Sequence, residues 1–358
     1  MKVSTLTLPI HVNYGAVLQA YALHQALINA GHEPVLLDIR PSIYKKNNFL
    51  SLISFTKNYI SRLIKKDTEY GNESFKQFVE KNIRKTSKTR FHFQLARLAK
   101  SDAYVVGSDQ VWRSEYALNI ELFYLDFVRN GALKLSYAAS FGKADWSYSS
   151  LQTENCKTLL KDFDAVSVRE FSGKTLVEEK LDGEATHVLD PTMIIDVEKY
   201  NKLIESNSDK KFGYRDLFCY VLDINREKQN LISLFCKEQY LNENLCNKGK
   251  VDKDKMSIEN WLQGIRDSHF VITDSFHGMV FCILFEKEFL VLANNSRGYE
   301  RFSSLLGQLG ISERLVDENM LNQFSSEKLS EIDYKIVNER LNRLKNKSIN
   351  FLHSSLSK

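Results

Sequence analysis

Five short clusters combine residue types that bind or transfer something, and each follows an apolar run. In Thr273-Asp274-Ser275-Phe276-His277-Gly278 a histidine stands at a strand-to-helix turn, where it can give or take a proton near neutral pH. Gly107-Ser108-Asp109-Gln110-Val111-Trp112-Arg113 puts a carboxylate, an amide, an indole and a guanidinium behind a glycine. Asp109 there can accept a sugar hydroxyl or act as a base. Trp112 can stack on a pyranose face, or the segment is a helix cap with a packed indole. Ser167-Val168-Arg169-Glu170 ends a buried strand in an arginine, which is costly unless it is paired with a carboxylate or clamps an anionic ligand. Asn295–Arg301 (NSRGYER) offers Arg297 and Arg301 as anion ligands, or is a solvated loop opening a helix. His11-Val12-Asn13-Tyr14-Gly15 precedes a helix whose first N–H groups favour anions or sugar hydroxyls, or is a capping turn. It is neither G-x-G-x-x-G nor a P-loop. No G-x-S-x-G and no H-E-x-x-H is present, so neither a serine-hydrolase triad nor a metal site is expected.

The elements that must carry these clusters alternate. Val3–Leu8, Pro34–Ile39, Ala103–Val106, Lys134–Ser140, Ala165–Val168 and Thr186–Asp190 read as strands. Ala16–Ala30, Leu151–Lys161 and Phe171–Lys180 read as helices between them. A second series has strands at Leu217–Leu222, Phe270–Thr273 and Phe289–Ala293. Its helices are Glu227–Gln239, Ile258–Arg266, His277–Phe285 and Arg301–Leu309, with a long charged helix over 324–345. Such alternation predicts α/β architecture with two doubly wound, Rossmann-like domains facing a cleft. The domains are expected at 1–195, with a basic helical insert over 41–100, and at 196–323, followed by a helical segment over 324–358.

At 358 residues, 43% hydrophobic and 26% charged, with four prolines and fifteen glycines, the chain is neither collagen-like nor broadly disordered. Its five cysteines form no C-x-x-C pair, which argues against a disulfide framework or structural zinc and for a reducing, cytoplasmic setting. No apolar run reaches the ~18 residues of a membrane helix. The N-terminus is a poor secretory leader, because His11, Asn13 and Gly15 interrupt its apolar stretch. A net charge of +4 is too small to predict nucleic-acid binding. The window 41–100, however, carries fourteen Lys/Arg against four Asp/Glu. It is read as a solvated helical insert, or as a surface facing an anionic acceptor or the inner membrane face.

Together the clusters resemble the polysaccharide pyruvyl transferase family. The resembling segments are Asn13–Leu23 (NYGAVLQAYAL), Gly107–Trp112, Ser136–Gly142 (SYAASFG), Ser167–Glu170, Leu189–Thr192 (LDPT) and Asp274–Gly278, in family order. The resemblance implies a glycosyltransferase-B-like pair of domains. It also implies transfer of a pyruvyl group from phosphoenolpyruvate to a sugar of a surface polysaccharide or its precursor, leaving a pyruvate ketal and phosphate. No cofactor or metal is then needed. By this similarity the C-terminal domain, with Arg169 near the cleft, holds the donor, and Ser275, Arg297 and Arg301 are the other expected donor-site residues. The N-terminal domain, through Asn13, Tyr14, Gly15, Ser108 and Trp112, faces a carbohydrate acceptor, free or lipid-linked. His277 is the expected general acid, and Asp109 its catalytic partner. Better-studied branches carry an R-x-H pattern at the donor site. Here Ser275 stands two residues before His277, so Arg297 or Arg301 must supply the missing cation, or else the donor differs. Two other functions share this architecture: a nucleotide-sugar glycosyltransferase, and a non-catalytic glycan-binding or scaffold protein of polysaccharide assembly. Nothing in the sequence sets an oligomeric state.

Overall fold

The computed structural model describes residues 1–10, 13–39, 73–89, 95, 100–117, 119–129, 131–207, 215–239, 256–293, 298–317, 321 and 329–357. Two compact units emerge. The first comprises Met1–Arg169, Gly173–His187 and Leu352–Lys358; the second comprises Glu170–Ser172 and Val188–Phe351. The chain thus passes between units at 169/170, 172/173, 187/188 and 351/352, the third of these a few residues before the boundary read from sequence.

In the first unit the strands β1 (Lys2–Leu6), β2 (Glu33–Leu36), β3 (Ala103–Val106) and β4 (Leu133–Ser136) form a parallel sheet in the order β2-β1-β3-β4. Parallel bridges Leu135–Ala165 and Ala139–Val168 carry it on toward β5 (Ser167–Val168), which pairs with β6 (Thr186–His187). The helix α1 (Tyr14–Asn29) is apolar on nearly every side and is buried along most of its length. α2 (Glu73–Asn82) buries only Phe75, Phe78 and Val79, and is the helix of the basic window within the described residues. Most of the rest of the expected insert over 41–100 falls outside them. α3 (Ser150–Leu160) starts from a capping box between Ser149 and Gln152, and α4 (Phe171–Leu181) follows β5 directly.

Two serines join β4 to β5 where the regular ladder gives out. Ser136 Oγ donates to the Ser167 carbonyl (2.9 Å) and accepts from Ser167 N (2.9 Å). Ser167 Oγ donates to the Ser136 carbonyl (2.9 Å) and accepts from Ala138 N (3.1 Å). All four contacts are buried, so these hydroxyls help to satisfy the backbone groups where the two strands part. This is a structural reason for the serines of SYAASFG and SVRE.

In the second unit β7 (Arg215–Tyr220), β8 (Ser268–Thr273), β9 (Glu288–Leu292) and β10 (Leu315–Val316) form a parallel sheet in the order β10-β9-β8-β7. Around it lie α5 (Glu198–Glu205), α6 (Arg226–Glu238), α7 (Ile258–Arg266), α8 (Phe276–Leu284) and α9 (Tyr299–Leu309). The sequence reading lacks β10, whose two residues are too few for any periodicity. The charged helix expected at 324–345 is instead α10, Tyr334–Leu356. Asp333 Oδ1 accepts from Lys335 N (3.0 Å) and Ile336 N (3.3 Å), so the carboxylate caps the helix and sets its start.

Candidate functional site

In the first unit, β1 lies between β2 and β3, so the connections leaving β1 and β3 run to opposite sides. Such a switch point is where open α/β sheets bind ligands, beyond the carboxyl ends of the strands. The Asn13 cluster follows β1 and the Gly107 cluster follows β3. Gly107 has φ +125°, and a Cβ there would stand 2.1 Å from the Tyr137 carbonyl oxygen, so only glycine fits. Asp109 has φ 65°, in the left-handed region. Its Oδ1 accepts from Gln110 N (2.8 Å), and its carbonyl accepts from Val111 N (2.8 Å) and Ser140 N (3.1 Å). The backbone is thereby fixed while the carboxylate stays half-exposed. Asn13 is exposed and caps α1 through Oδ1, which accepts from Ala16 N (3.2 Å); Gly15 is buried in the first turn.

Gln19 holds this loop. It is fully buried; its Nε2 donates to Thr7 Oγ1 (3.2 Å) and the Ala16 carbonyl (2.9 Å), and its Oε1 accepts from Ser108 N (3.1 Å). Thr7 Oγ1 in turn donates to the Ser108 carbonyl (3.2 Å). Gln19→Leu leaves the buried Ser108 N–H without its acceptor, at about 1–3 kcal/mol. The urea midpoint is expected to fall accordingly; an unchanged midpoint would mean that the loop is held by other contacts.

Besides Gly15, three residues expected at the acceptor side are interior instead. Trp112 is fully buried, stacked on Tyr124 (5.0 Å, 10°), with its indole N–H donating to the Phe123 carbonyl (3.0 Å). The aromatic cluster of Trp112, Tyr124, Phe141 and Tyr148 leaves no face for a sugar. Tyr14 packs its ring on Phe75 (5.0 Å) in the core. Ser108 is fully buried, its hydroxyl donating to the Ala138 carbonyl (3.2 Å). Arg113 is likewise structural: it donates to Gln110 Oε1 (2.8 Å) and lies over Tyr116. Arg169 ends β5 with its side chain almost wholly buried, and its carbonyl accepts from His187 Nε2 (2.9 Å).

In the second unit the site is built at the carboxyl end of β8. Thr273 Oγ1 donates to the Tyr220 carbonyl (2.7 Å) and accepts from Ser275 N (3.0 Å). Asp274 is buried and accepts from Leu222 N (2.6 Å), Asp223 N (3.1 Å) and Lys228 Nζ (2.9 Å), tying the end of β7 to the end of β8. Ser275 Oγ accepts from Gly278 N (3.3 Å), which makes it the N-cap of α8. His277 is therefore held in the first turn of a helix, 7% exposed. Its Nε2 is buried, lies 3.5 Å from Asp190 Oδ2 and makes no hydrogen bond among the described residues. Asp190 Oδ1 accepts from Thr192 N (3.0 Å) and Thr192 Oγ1 (2.7 Å), and Tyr200 donates to the Thr192 carbonyl (2.9 Å). The Phe276 ring stands edge-on to His277 (5.3 Å, 83°) and lies beneath the Arg301 guanidinium (5.5 Å), a contact worth about 0.5–2 kcal/mol. The arrangement thus gathers a proton-carrying ring, a carboxylate and a guanidinium. Arg297 lies outside the described residues.

Sequence reasoning missed Asp190, Thr192, Phe276 and Lys228 as parts of this site. The signal was present for one pair: Asp-Pro-Thr is a cap with proline at the first turn position, which fixes an aspartate carboxylate locally. Burial pushes the Cys156 and Cys282 thiols up, so neither is a ready nucleophile. Among the described residues no group of three or more His, Cys, Asp or Glu could hold a metal ion, and no helix is long and apolar enough to cross a membrane.

The family description "polysaccharide pyruvyl transferase" matches residues 13–296. The chain belongs to the polysaccharide pyruvyl transferase family. That membership supports a transferase acting in polysaccharide pyruvylation. No curated protein matches the chain in sequence. Among solved structures, Arabidopsis thaliana UGT89C1 complexed with UDP-L-rhamnose is similar at 10% identity and TM-score 0.50, over 98% of each chain. The S. aureus MnaA–UDP structure is similar at 12% identity and TM-score 0.49, over 99% of this chain and 96% of that one. The fold is the Rossmann-like α/β architecture of glycosyltransferase-B enzymes; the low identities carry no statement about substrate.

Proposed function

We propose that this pyruvyl transferase uses phosphoenolpyruvate as donor and a diol of a surface-polysaccharide sugar, or of its free or lipid-linked precursor, as acceptor, with no cofactor. The product is a pyruvate ketal, and phosphate is released. The observation that carries the reading is His277 in the first turn of α8, with Arg301 stacked over the neighbouring Phe276, in a chain of this family.

The chemistry needs a proton at the methylene carbon of the enol. His277 supplies it, leaving an oxocarbenium-like centre at the adjacent carbon. One sugar hydroxyl adds there and gives up its proton. The carbon–oxygen bond to phosphate then breaks, phosphate departs with the bonding pair, and the second hydroxyl adds and loses its proton. Arg301, with Arg297, meets the donor's carboxylate and phosphate and stabilises charge on the leaving group. Ser275, in place of an arginine, serves as helix cap, so the cation at this point comes from α9. Asp109 and Asn13 take the acceptor's hydroxyls, Asp109 serving as base. The reaction places the protein on the cytoplasmic side, where phosphoenolpyruvate is made.

Calorimetric titration of phosphoenolpyruvate needs no knowledge of the acceptor. Saturable binding is expected, weakened about 10–100-fold in Arg301→Ala, as befits loss of a charge-assisted hydrogen bond. Binding of a uridine-diphosphate sugar without phosphoenolpyruvate would instead favour a glycosyltransferase. Silence toward both would favour a non-catalytic glycan binder.

A further inference from the structure

We infer that Asp190 is the positioning carboxylate of His277: it holds the ring with its proton on Nε2, so that Nδ1 is the nitrogen that exchanges a proton with substrate. This rests on the reading of His277 as the general acid, but the tautomer can be measured without it.

The geometry comes from the second unit alone. Nε2 of His277 is shut off from solvent, and the oxygen turned toward it is Asp190 Oδ2, at 3.5 Å. A nitrogen lone pair facing a carboxylate at that distance is repulsive; an N–H facing it is attractive. The interior therefore selects the Nε2-protonated tautomer. Contacts of this length in a ligand-free site tighten when substrate closes over them.

The carboxylate is itself oriented. Thr192 presents both its N–H and its Oγ1–H to Oδ1, and Tyr200 O–H holds the Thr192 carbonyl, so Oδ2 is the oxygen directed at the ring. A ring nitrogen with no exposed surface cannot reach a donor molecule, whereas the residue keeps 7% of its surface exposed. Proton traffic to the enol then runs from Nδ1 of the imidazolium to the methylene carbon. The Nε2 proton stays in place, and Asp190 stabilises the charged ring before transfer. Asp190 touches no substrate atom in this scheme.

Asp190→Asn separates orientation from shape. Thr192 still offers two donors, so the new amide keeps its oxygen toward Thr192 and turns its NH2 toward His277. Nε2 must then accept, and the neutral ring moves its proton to Nδ1. The charged ring, which needs a proton on both nitrogens, then meets an NH2 group where the carboxylate stood.

The experiment uses the full chain labelled with ¹⁵N-histidine. Long-range ¹H–¹⁵N correlations are recorded at about pH 8.5, above the ordinary imidazole range, and His277 signals are assigned by their loss in His277→Gln. The expected result is the Nε2–H tautomer in the wild type and the Nδ1–H tautomer in Asp190→Asn. Release of phosphate from phosphoenolpyruvate should fall in kcat by up to the about 10²–10⁴-fold expected for loss of the acid itself, with KM little changed. A wild-type ring in the Nδ1–H form overturns the assignment even if the variant does not fold. So does an Asp190→Asn ring that keeps its wild-type tautomer. Normal phosphate release in Asp190→Asn, with the tautomer switched, removes the positioning role. Failure of the wild type to consume phosphoenolpyruvate with any acceptor, with both tautomers as expected, overturns the proposed reaction and leaves the Asp190–His277 pairing standing.

Discussion

His277→Ala is expected to reduce phosphate release from phosphoenolpyruvate by about 10²–10⁴-fold, the usual contribution of one general acid. The loss belongs in kcat. Cations bind the anionic donor, whereas the imidazole acts on a carbon that becomes charged only as the reaction proceeds. Calorimetry on the same variant should therefore show phosphoenolpyruvate binding close to that of the wild type. The opposite pattern, with binding lost and kcat retained at saturation, would make His277 an anion ligand and move the acid elsewhere. Phe276 sharpens the comparison, since its ring touches both His277 and Arg301. Truncating it should disturb binding and turnover together, whereas His277→Ala should separate them.

The second large effect concerns stability. Lys228 and Asp274 are both essentially without solvent exposure, and their charges meet at 2.9 Å. Replacing Lys228 by methionine keeps much of the packing and leaves a buried carboxylate without its cation. The expected cost is about 3–5 kcal/mol, read as a lowered urea midpoint of the second unit. Removing both charges in Lys228→Met/Asp274→Leu would ordinarily restore most of that loss. Here it should restore only part, because Asp274 also accepts from Leu222 N and Asp223 N, and leucine leaves both amides unsatisfied. Full recovery in the double variant would show that those two amides find other acceptors. An unchanged midpoint in Lys228→Met would show that the pair contributes nothing net. The pair also matters to the site, since Asp274 precedes the Ser275 cap from which α8, and with it His277, begins.

Much of this was legible because it is local. Strand β3 reads directly from Ala103–Val106, and helix α7 was placed over Ile258–Arg266, the same residues it occupies. Their ends are set by residues within one turn: Ser257 caps α7, and Ser275 caps α8. Boundaries failed where the deciding partner was a single side chain in a charged run, as with Asp333 and α10. They failed also where the element was too short to show a period, as with β10.

The site divides along the same line. Composition and spacing located the clusters after strands, because a parallel sheet delivers its carboxyl ends to one edge and the loops there carry the polar residues. They did not determine which member of each cluster meets solvent. Trp112 and Asp109 stand three positions apart in one segment; the left-handed backbone at Asp109 leaves its carboxylate half-exposed, while Trp112 is buried against Tyr124 and Phe141. Likewise His277 was a candidate from its own neighbours, whereas Asp190 was not, since nothing near Asp190 in the chain announces a histidine. The sequence by itself determined the order of elements, the parallel sheets and the places where chemistry could sit, through periodicity and caps that act over a few residues. Only the tertiary structure decided which side chains are exposed and which distant ones meet, as Lys228 meets Asp274 and Asp190 meets His277. Burial and charge pairing depend on what packs from elsewhere in the chain, and no local pattern encodes that.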